Sequence, residues 1–335
     1  MNLLTNGQKK MEFDELVGKV FRNKHNAIYD PLFQKQLRSA PWQDWLSQPG
    51  YFEVQDQYIE RFIDWMYSTK LNRLTNGCKF HSKRYTRRDI IIGTTQSFDE
   101  AYFRYAGRRL RMFRGEYAYH RRCYRNFAWL DEHIGNKANG EWADPIEPGD
   151  WVVISLPFCG TGGKHSKHEE LLDRCAELDV PVILDCAWYG TCHDLDFDLD
   201  HPAITEVSFS LSKGIGLGNM RTGVRFSNYA KGDMMPIAQQ NAYGHLVLGN
   251  CQLALHQMEE FGPDWQANKY LEWYKKLCAK YSMLETNCLH VTMLPRYHKH
   301  FDYFLIDESY IKVGVREALK AIRRCLLYTS PSPRD

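Results

Sequence analysis

The sequence predicts an α/β protein: a three-layer α/β/α large domain with a mainly parallel sheet, followed by a smaller α+β C-terminal domain. Three observations predict it. From about Arg88 onward, short apolar runs alternate with helical patterns, the order expected of a parallel sheet covered by helices. Two of those runs end in loops rich in glycine and polar residues, at 185–190 and 210–218. The 335 residues exceed what one domain of ordinary size needs, which favours two.

The elements follow in order. Residues 1–44 are polar and mixed, broken at Asp30-Pro31 and Ala40-Pro41, and read as an N-terminal arm. The large domain is assigned to 45–275. Asp89-Ile-Ile-Ile92 is a predicted strand, and Gly93-Thr94-Thr95-Gln96 opens a helix. Trp151-Val-Val-Ile-Ser155 is a second strand, entered through the turn Glu147-Pro-Gly-Asp150. Residues 164–178 carry Leu171, Leu172, Cys175 and Leu178 on one helical face. Further strands are predicted at 181–184, 206–209 and 222–226. From Gln239 to Tyr281 the pattern is mostly helical, interrupted at Gly262-Pro263. The smaller domain is assigned to 276–324, with His300-Phe-Asp-Tyr-Phe-Leu-Ile306 as an apolar run within it. The last eleven residues, 325–335, read as translated sequencing adapter rather than native protein, so the small domain is expected to be incomplete.

Composition excludes several classes. Lysine and arginine number 43 against 41 aspartates and glutamates, which gives no overall case for nucleic acid. No eighteen-residue apolar run and no charged-then-apolar leader is present, so a soluble cytoplasmic protein is expected. Ten cysteines without Cys-x-x-Cys pairs fit reduced thiols. His165 and His168 lack a third ligand at useful spacing, so no metal is expected. Eight arginines between Arg104 and Arg125 read as a solvated, ion-paired surface.

The most informative stretch is Ser208-Phe-Ser-Leu-Ser-Lys-Gly-Ile-Gly-Leu-Gly-Asn-Met-Arg-Thr-Gly223. It places Lys213 in a loop after a predicted strand, with hydroxyls at Ser210 and Ser212 and a cation at Arg221. Such a lysine suits an amine that meets both a carbonyl and a phosphate, the two groups that pyridoxal 5'-phosphate carries. Pro181-Val-Ile-Leu-Asp185-Cys-Ala-Trp-Tyr-Gly190 ends an apolar run in a carboxylate, which is costly to bury without a partner. Taken alone, Asp185 reads as a helix cap. With Lys213 twenty-eight residues downstream, a cofactor role is favoured.

These two stretches resemble the class I/II aminotransferases of the aspartate-aminotransferase-like family, over roughly residues 45–310. The resemblance implies the pyridoxal-phosphate-dependent transferase fold, a homodimer, and small-molecule amino acid and 2-oxo acid substrates, without nucleic acid, membrane or metal. It implies that Lys213 and Asp185 are catalytic: Lys213 joins the cofactor's aldehyde as a Schiff base and Asp185 keeps the ring nitrogen protonated. The phosphate cup would comprise Gly93, Thr94, Thr95, Ser210, Ser212 and Arg221. A helix start binds anions well, and arginine grips phosphate oxygens in pairs, although Arg221 could equally be a surface ion pair.

Arg114-Gly-Glu-Tyr117-Ala-Tyr119 resembles the family's aromatic loop, making Tyr117 the ring-stacking candidate. By position in the chain, Tyr51 corresponds to the tyrosine that reaches a neighbouring subunit's phosphate. In Leu156-Pro-Phe-Cys159-Gly-Thr-Gly162, Cys159 replaces the asparagine expected at the ring hydroxyl, and Trp188 stands where its tyrosine partner falls. An altered acidity of the lysine–cofactor linkage is expected, although Trp188 as core packing is an equal reading. Arg316 is one candidate for the substrate carboxylate; a residue beyond the readable sequence is the other.

Two glycine patterns are dismissed. Cys159-Gly-Thr-Gly-Gly-Lys164-His fails the P-loop pattern at Phe158 and His165, and Gly214-Ile-Gly-Leu-Gly218 has the wrong spacing for a dinucleotide fingerprint. Transamination is the expected reaction. A lyase or decarboxylase on the same fold and a non-catalytic sensor domain stand as alternatives.

Overall fold

In a computed structural model, residues 28, 30–46, 51–75, 84–131, 145–295 and 310–319 are described. The expected run at 300–306, the terminal segment 325–335 and the side chain of Tyr51 lie outside them.

The described residues contribute eleven strands: β1 (Arg73–Leu74), β2 (Arg87–Ile91), β3 (Leu110–Met112), β4 (Phe127–Trp129), β5 (Trp151–Ser155), β6 (Val182–Cys186), β7 (Asp196–Phe197), β8 (Ile204–Ser210), β9 (Gly223–Ser227), β10 (Val291–Pro295) and β11 (Tyr310–Gly314). Seven of them form one sheet in the order β2-β9-β8-β6-β5-β3-β4. Its β4, β3, β5, β6 and β8 pair in parallel, and only β9 runs against the rest. The mainly parallel sheet is as expected.

Strand residues alternate faces, and both faces are apolar here. Val152, Ile154, Val182 and Leu184 pack on one side with Tyr58, Phe62 and Met66 from the helix Tyr51–Tyr67. Trp151, Val153 and Ile183 face the other side, under Phe98 and Ala101 of the helix Thr94–Arg104. Burial on both faces explains why these strands read as continuous apolar runs rather than alternating ones.

Helices at Pro236–Ala242, Leu248–Glu260 and Trp265–Lys280 fill the predicted helical stretch, with the break at 262–263. The last of them packs Tyr270, Tyr274 and Leu277 on Leu294 and Val313 of the antiparallel β10–β11 pair and on Val315 just beyond it.

Two readings change in detail. The arm is not irregular throughout: Pro31–Arg38 is a helix, because Asp30 accepts the Leu32 N–H at 2.8 Å and Pro31 sits where a missing N–H costs nothing. Its Phe33 is buried against Phe261 and Trp265. The arginine-rich stretch is not simply surface either. Arg111 is fully buried, bonded to Asp150 at 3.1 Å, and Arg104 bridges Glu100 and Asp233. Arg111 lies on β3, an internal strand, where an unpaired cation could not remain. No helix of the described residues is long and apolar enough to cross a membrane.

Candidate functional site

Lys213 sits on a single helical turn, Leu211–Gly214, that begins where β8 ends. One turn cannot hold itself, and neighbours do the holding. Ser210 Oγ accepts the Ser212 N–H at its start, and Gln266 Nε2 donates to the carbonyls of Lys213 (2.6 Å) and Gly214 (2.7 Å) at its end. Gly214 also lies against Gly190 of the turn Tyr189–Thr191 that follows β6: a Cβ on Gly190 would come 2.7 Å from the Gly214 Cα.

Asp185 stands on β6, beside β8 and in register with Ser208. Its Oδ1 accepts the Ala187 N–H at 2.9 Å. Burial pushes its carboxyl up to about 6, against the opposing pull of the Lys213 charge and hydrogen bonds from Ala187 and Thr94. Burial in turn lowers the affinity of the Lys213 amine for its proton, opposed by Asp185.

Arg221 closes the other side. Its Nη2 donates to Thr95 Oγ1 at 2.9 Å, above the start of the helix Thr94–Arg104. Gly93 precedes that helix at φ +125°, and a Cβ there would lie 2.7 Å from Arg221 Nη2. Glycine is thus required both by the backbone and by the arginine. No side chain caps this helix, so its first N–H groups face outward.

One cavity of about 720 Å³ gathers Thr94, Thr95, Tyr117, Cys159, Asp185, Trp188, Ser210, Ser212, Lys213 and Arg221. Of the site residues singled out in the sequence, Gly93 does not line it but lies against Arg221, and the side chain of Tyr51 is outside the described residues. Tyr117 is 44% exposed and stacks on Tyr119 with centroids 5.8 Å apart. Trp188 is nearly buried, edge-on to His290 at 4.5 Å, so it both packs and lines the cavity. The Cys159 N–H is fixed by Ser155 Oγ at 2.7 Å. Arg316 lines the cavity as well.

The sequence reading missed three features. Lys312, on β11, donates from Nζ to the Cys159 carbonyl at 2.5 Å and lies 4.0 Å from its Sγ. Glu116 is buried beneath Ser155. Cys288 and His290 lie together behind Trp188, Sγ to Nδ1 3.4 Å, with burial raising the thiol to about 12 and lowering the imidazole to about 3. Only Glu116, next to the aromatic Tyr117, stood beside a motif already in view. Among the described residues, no three His, Cys, Asp or Glu side chains are grouped to hold a metal ion.

No protein-family model and no curated protein matches the chain. Solved structures do. An aminotransferase from Staphylococcus aureus superposes with a TM-score of 0.56 at 14% identity, over 88% of this chain and 87% of that one. The histidinol-phosphate aminotransferase from Clostridium acetobutylicum gives 0.57 at 11%, over 90% and 97%. A C-S lyase from Staphylococcus hominis, solved with pyridoxal phosphate (PLP) bound, gives 0.60 at 13%, over 90% and 91%. The fold is that of the PLP-dependent transferases. Likeness at this identity is one of fold, and the chemistry rests on the cavity.

Proposed function

We propose that this chain is a PLP-dependent enzyme, an aminotransferase that moves an amino group between an amino acid and a 2-oxo acid, working as a cytoplasmic homodimer. The observation that carries the reading is the convergence on one cavity of Lys213, Asp185 and Arg221, from the ends of β8 and β6 and the approach to β9. Asp185 tests the fit. Its buried carboxyl, pushed up to about 6, is opposed by the Lys213 charge, and a protonated ring nitrogen is the kind of partner it needs.

In this reading Arg221, Thr95, Ser210, Ser212 and the N–H groups around Thr94 hold the phosphate. Tyr117 covers one ring face. Lys213 would supply the amine that holds the aldehyde, and its free amine would take up the proton from the substrate α-carbon. Bound there, PLP supplies the aldehyde for amine exchange and a ring that draws electrons from that carbon. Arg316, which lines the cavity, is the cation offered to the substrate carboxylate. Exposed Tyr117 and Met220, beside the lining residues, support a second copy at the rim.

Lyase chemistry is the second reading, favoured by the C-S lyase of the same fold. The test is the absorbance of protein incubated with PLP. A band near ~410–430 nm that borohydride traps in the wild type and not in Lys213→Ala is expected of a Schiff-base lysine. Bleaching of that band by an amino acid, and its return with a 2-oxo acid, marks transamination. Release of a 2-oxo acid or amine without bleaching marks a lyase. No band in folded wild-type protein refutes both.

A further inference from the structure

The backbone of Cys159 is gripped from two sides. Its N–H is taken by Ser155 Oγ at 2.7 Å, and that hydroxyl donates in turn to buried Glu116 at 2.6 Å. Its carbonyl is taken by Lys312 Nζ at 2.5 Å, which reaches over from β11. The same ammonium lies 4.0 Å from Cys159 Sγ. Cys159 itself lines the cavity that holds Lys213.

A tether alone needs no charge. An ammonium has three donors and a full charge, and one donor serves the carbonyl. Lys312 is half-buried, where an unanswered charge is costly, and among the described residues no carboxylate forms an ion pair with it. The group beside it that can become an anion is the Cys159 thiol. Around that thiol stand Lys312 from β11, Lys213 from the turn after β8, Glu116 from the loop after β3 and Asp185 from β6. Cys288 and His290, just before β10, adjoin the same groups. Burial raises the thiol above its ordinary value, and Glu116 and Asp185 act with burial. Lys312 is the strongest charge opposing them, ahead of Lys213.

We propose that Lys312 is a positioning residue: it fixes the Cys159 turn through the carbonyl, and its charge favours a thiolate on Cys159, giving the cavity a sulfur nucleophile for soft carbon electrophiles. The thiolate, not the thiol, is the reacting form. Lys213 and Lys312 both act on Cys159 and on His290, so with PLP bound the Lys312 charge also weakens the hold of the Lys213–cofactor linkage on its proton. That last step rests on the function proposed above; the thiolate does not.

The experiment has two arms. Cofactor-free protein is labelled with iodoacetamide between about pH 7 and 10, across the ordinary thiol range, and the rate at Cys159 is read by mass spectrometry of its peptide. The sulfur–carbon bond forms as the carbon–iodine bond breaks, iodide leaves with the electron pair, and the thiol proton goes to solvent. The midpoint of the Cys159 profile should rise by about half a unit or more in Lys312→Met and stay in place in Lys312→Arg, which keeps the charge. Below the midpoint, half a unit is about a threefold loss of rate at fixed pH. Where Lys312→Met fails to fold, Lys312→Gln serves instead, uncharged yet still a donor. A merely structural tether changes the rate by one factor at every pH and leaves the midpoint unmoved. That result, an equal shift in Lys312→Arg, or no labelling of Cys159 in folded wild-type protein overturns the proposal. In the second arm, the pH at which the visible band of PLP-loaded protein changes should move upward by about half a unit or more in Lys312→Met and not in Lys312→Arg. An unmoved band overturns the reach of the charge to the cofactor. A missing band in folded wild-type protein sinks the cofactor reading alone, because the labelling arm needs no PLP.

Discussion

Gly190→Ala tests how the distance between Asp185 and Lys213 is set. The new methyl would stand 2.7 Å from the Gly214 Cα and 3.1 Å from Cη2 of Trp65. Carbon contacts relax at roughly 3.5–4.0 Å, so the turn after β6 and the helical turn of Lys213 must separate by about 1 Å. Backbone faces backbone, and no rotamer can absorb the shift. Overpacking of this kind costs about 1–3 kcal/mol, which in a chain of this size lowers the melting temperature by a few degrees. The functional cost is larger, because a misplacement of about 1 Å at reacting groups can reduce rates by about a hundredfold. The assay pairs a thermal melt with the rate of borohydride-trapped PLP incorporation. Loss of incorporation out of proportion to the loss of stability is expected. A variant that melts within a degree of wild type and traps PLP at the wild-type rate would refute the reasoning. Gly214→Ala, whose Cβ would lie 3.0 Å from the Gly190 Cα, should show the same defect from the other side.

Gly93→Ala forces a left-handed backbone on alanine, at about 1–3 kcal/mol, and pushes Arg221 from its place. Affinity for PLP should fall at least tenfold while affinity for phosphate-free pyridoxal is unchanged, as measured by equilibrium titration. Acid should destabilise the cofactor-free protein. Burial lowers His120, His168 and His290 to about 3 and His165 to about 4, so the folded state favours neutral imidazole and loses stability as pH falls below the unfolded value of about 6.5. Asp185 and Glu116, raised to about 6 and 7, act oppositely, since their contribution is complete at low pH and is lost as pH rises through those values. Four histidines outweigh two carboxyls, giving a net loss of about 3 kcal/mol between about pH 7.5 and 5.5 in denaturant titrations. A flat profile, or one that rises toward acid, would refute the premise that burial holds all four imidazoles neutral.

What the sequence made legible was what lies close together along it. Asp185 with its turn and the segment from Ser208 to Arg221 are continuous stretches, each ending a buried strand, and chemistry and backbone signals coincide there. The sheet was legible for the same reason: strands buried on both faces leave unbroken apolar runs. Illegible were contacts that depend on where an element stops or what meets it from afar. Glu116 reads as one more polar residue in an aromatic loop until β3 is seen to end early, leaving the Ser155 N–H without a strand. Lys312 reaches Cys159 across 153 positions of sequence. Arg111 and Arg225 balance buried carboxylates, so a composition count cannot distinguish them from surface charge.

The same distinction bears on Lys213 itself. Its identity as the site's lysine is local, given by the serines, glycines and arginine around it. Its position is not local. A one-turn helix has almost no internal hydrogen bonding, so its placement comes from Gln266 on its last carbonyls, Gly190 against Gly214, and Gln257 holding the Ile215 carbonyl at 2.9 Å just beyond it. None of these residues has chemistry of its own to advertise, and each lies at least twenty positions away. Substitutions at Gln266 or Gly190 should therefore resemble loss of the proposed Schiff-base lysine while leaving the Lys213 side chain in the sequence.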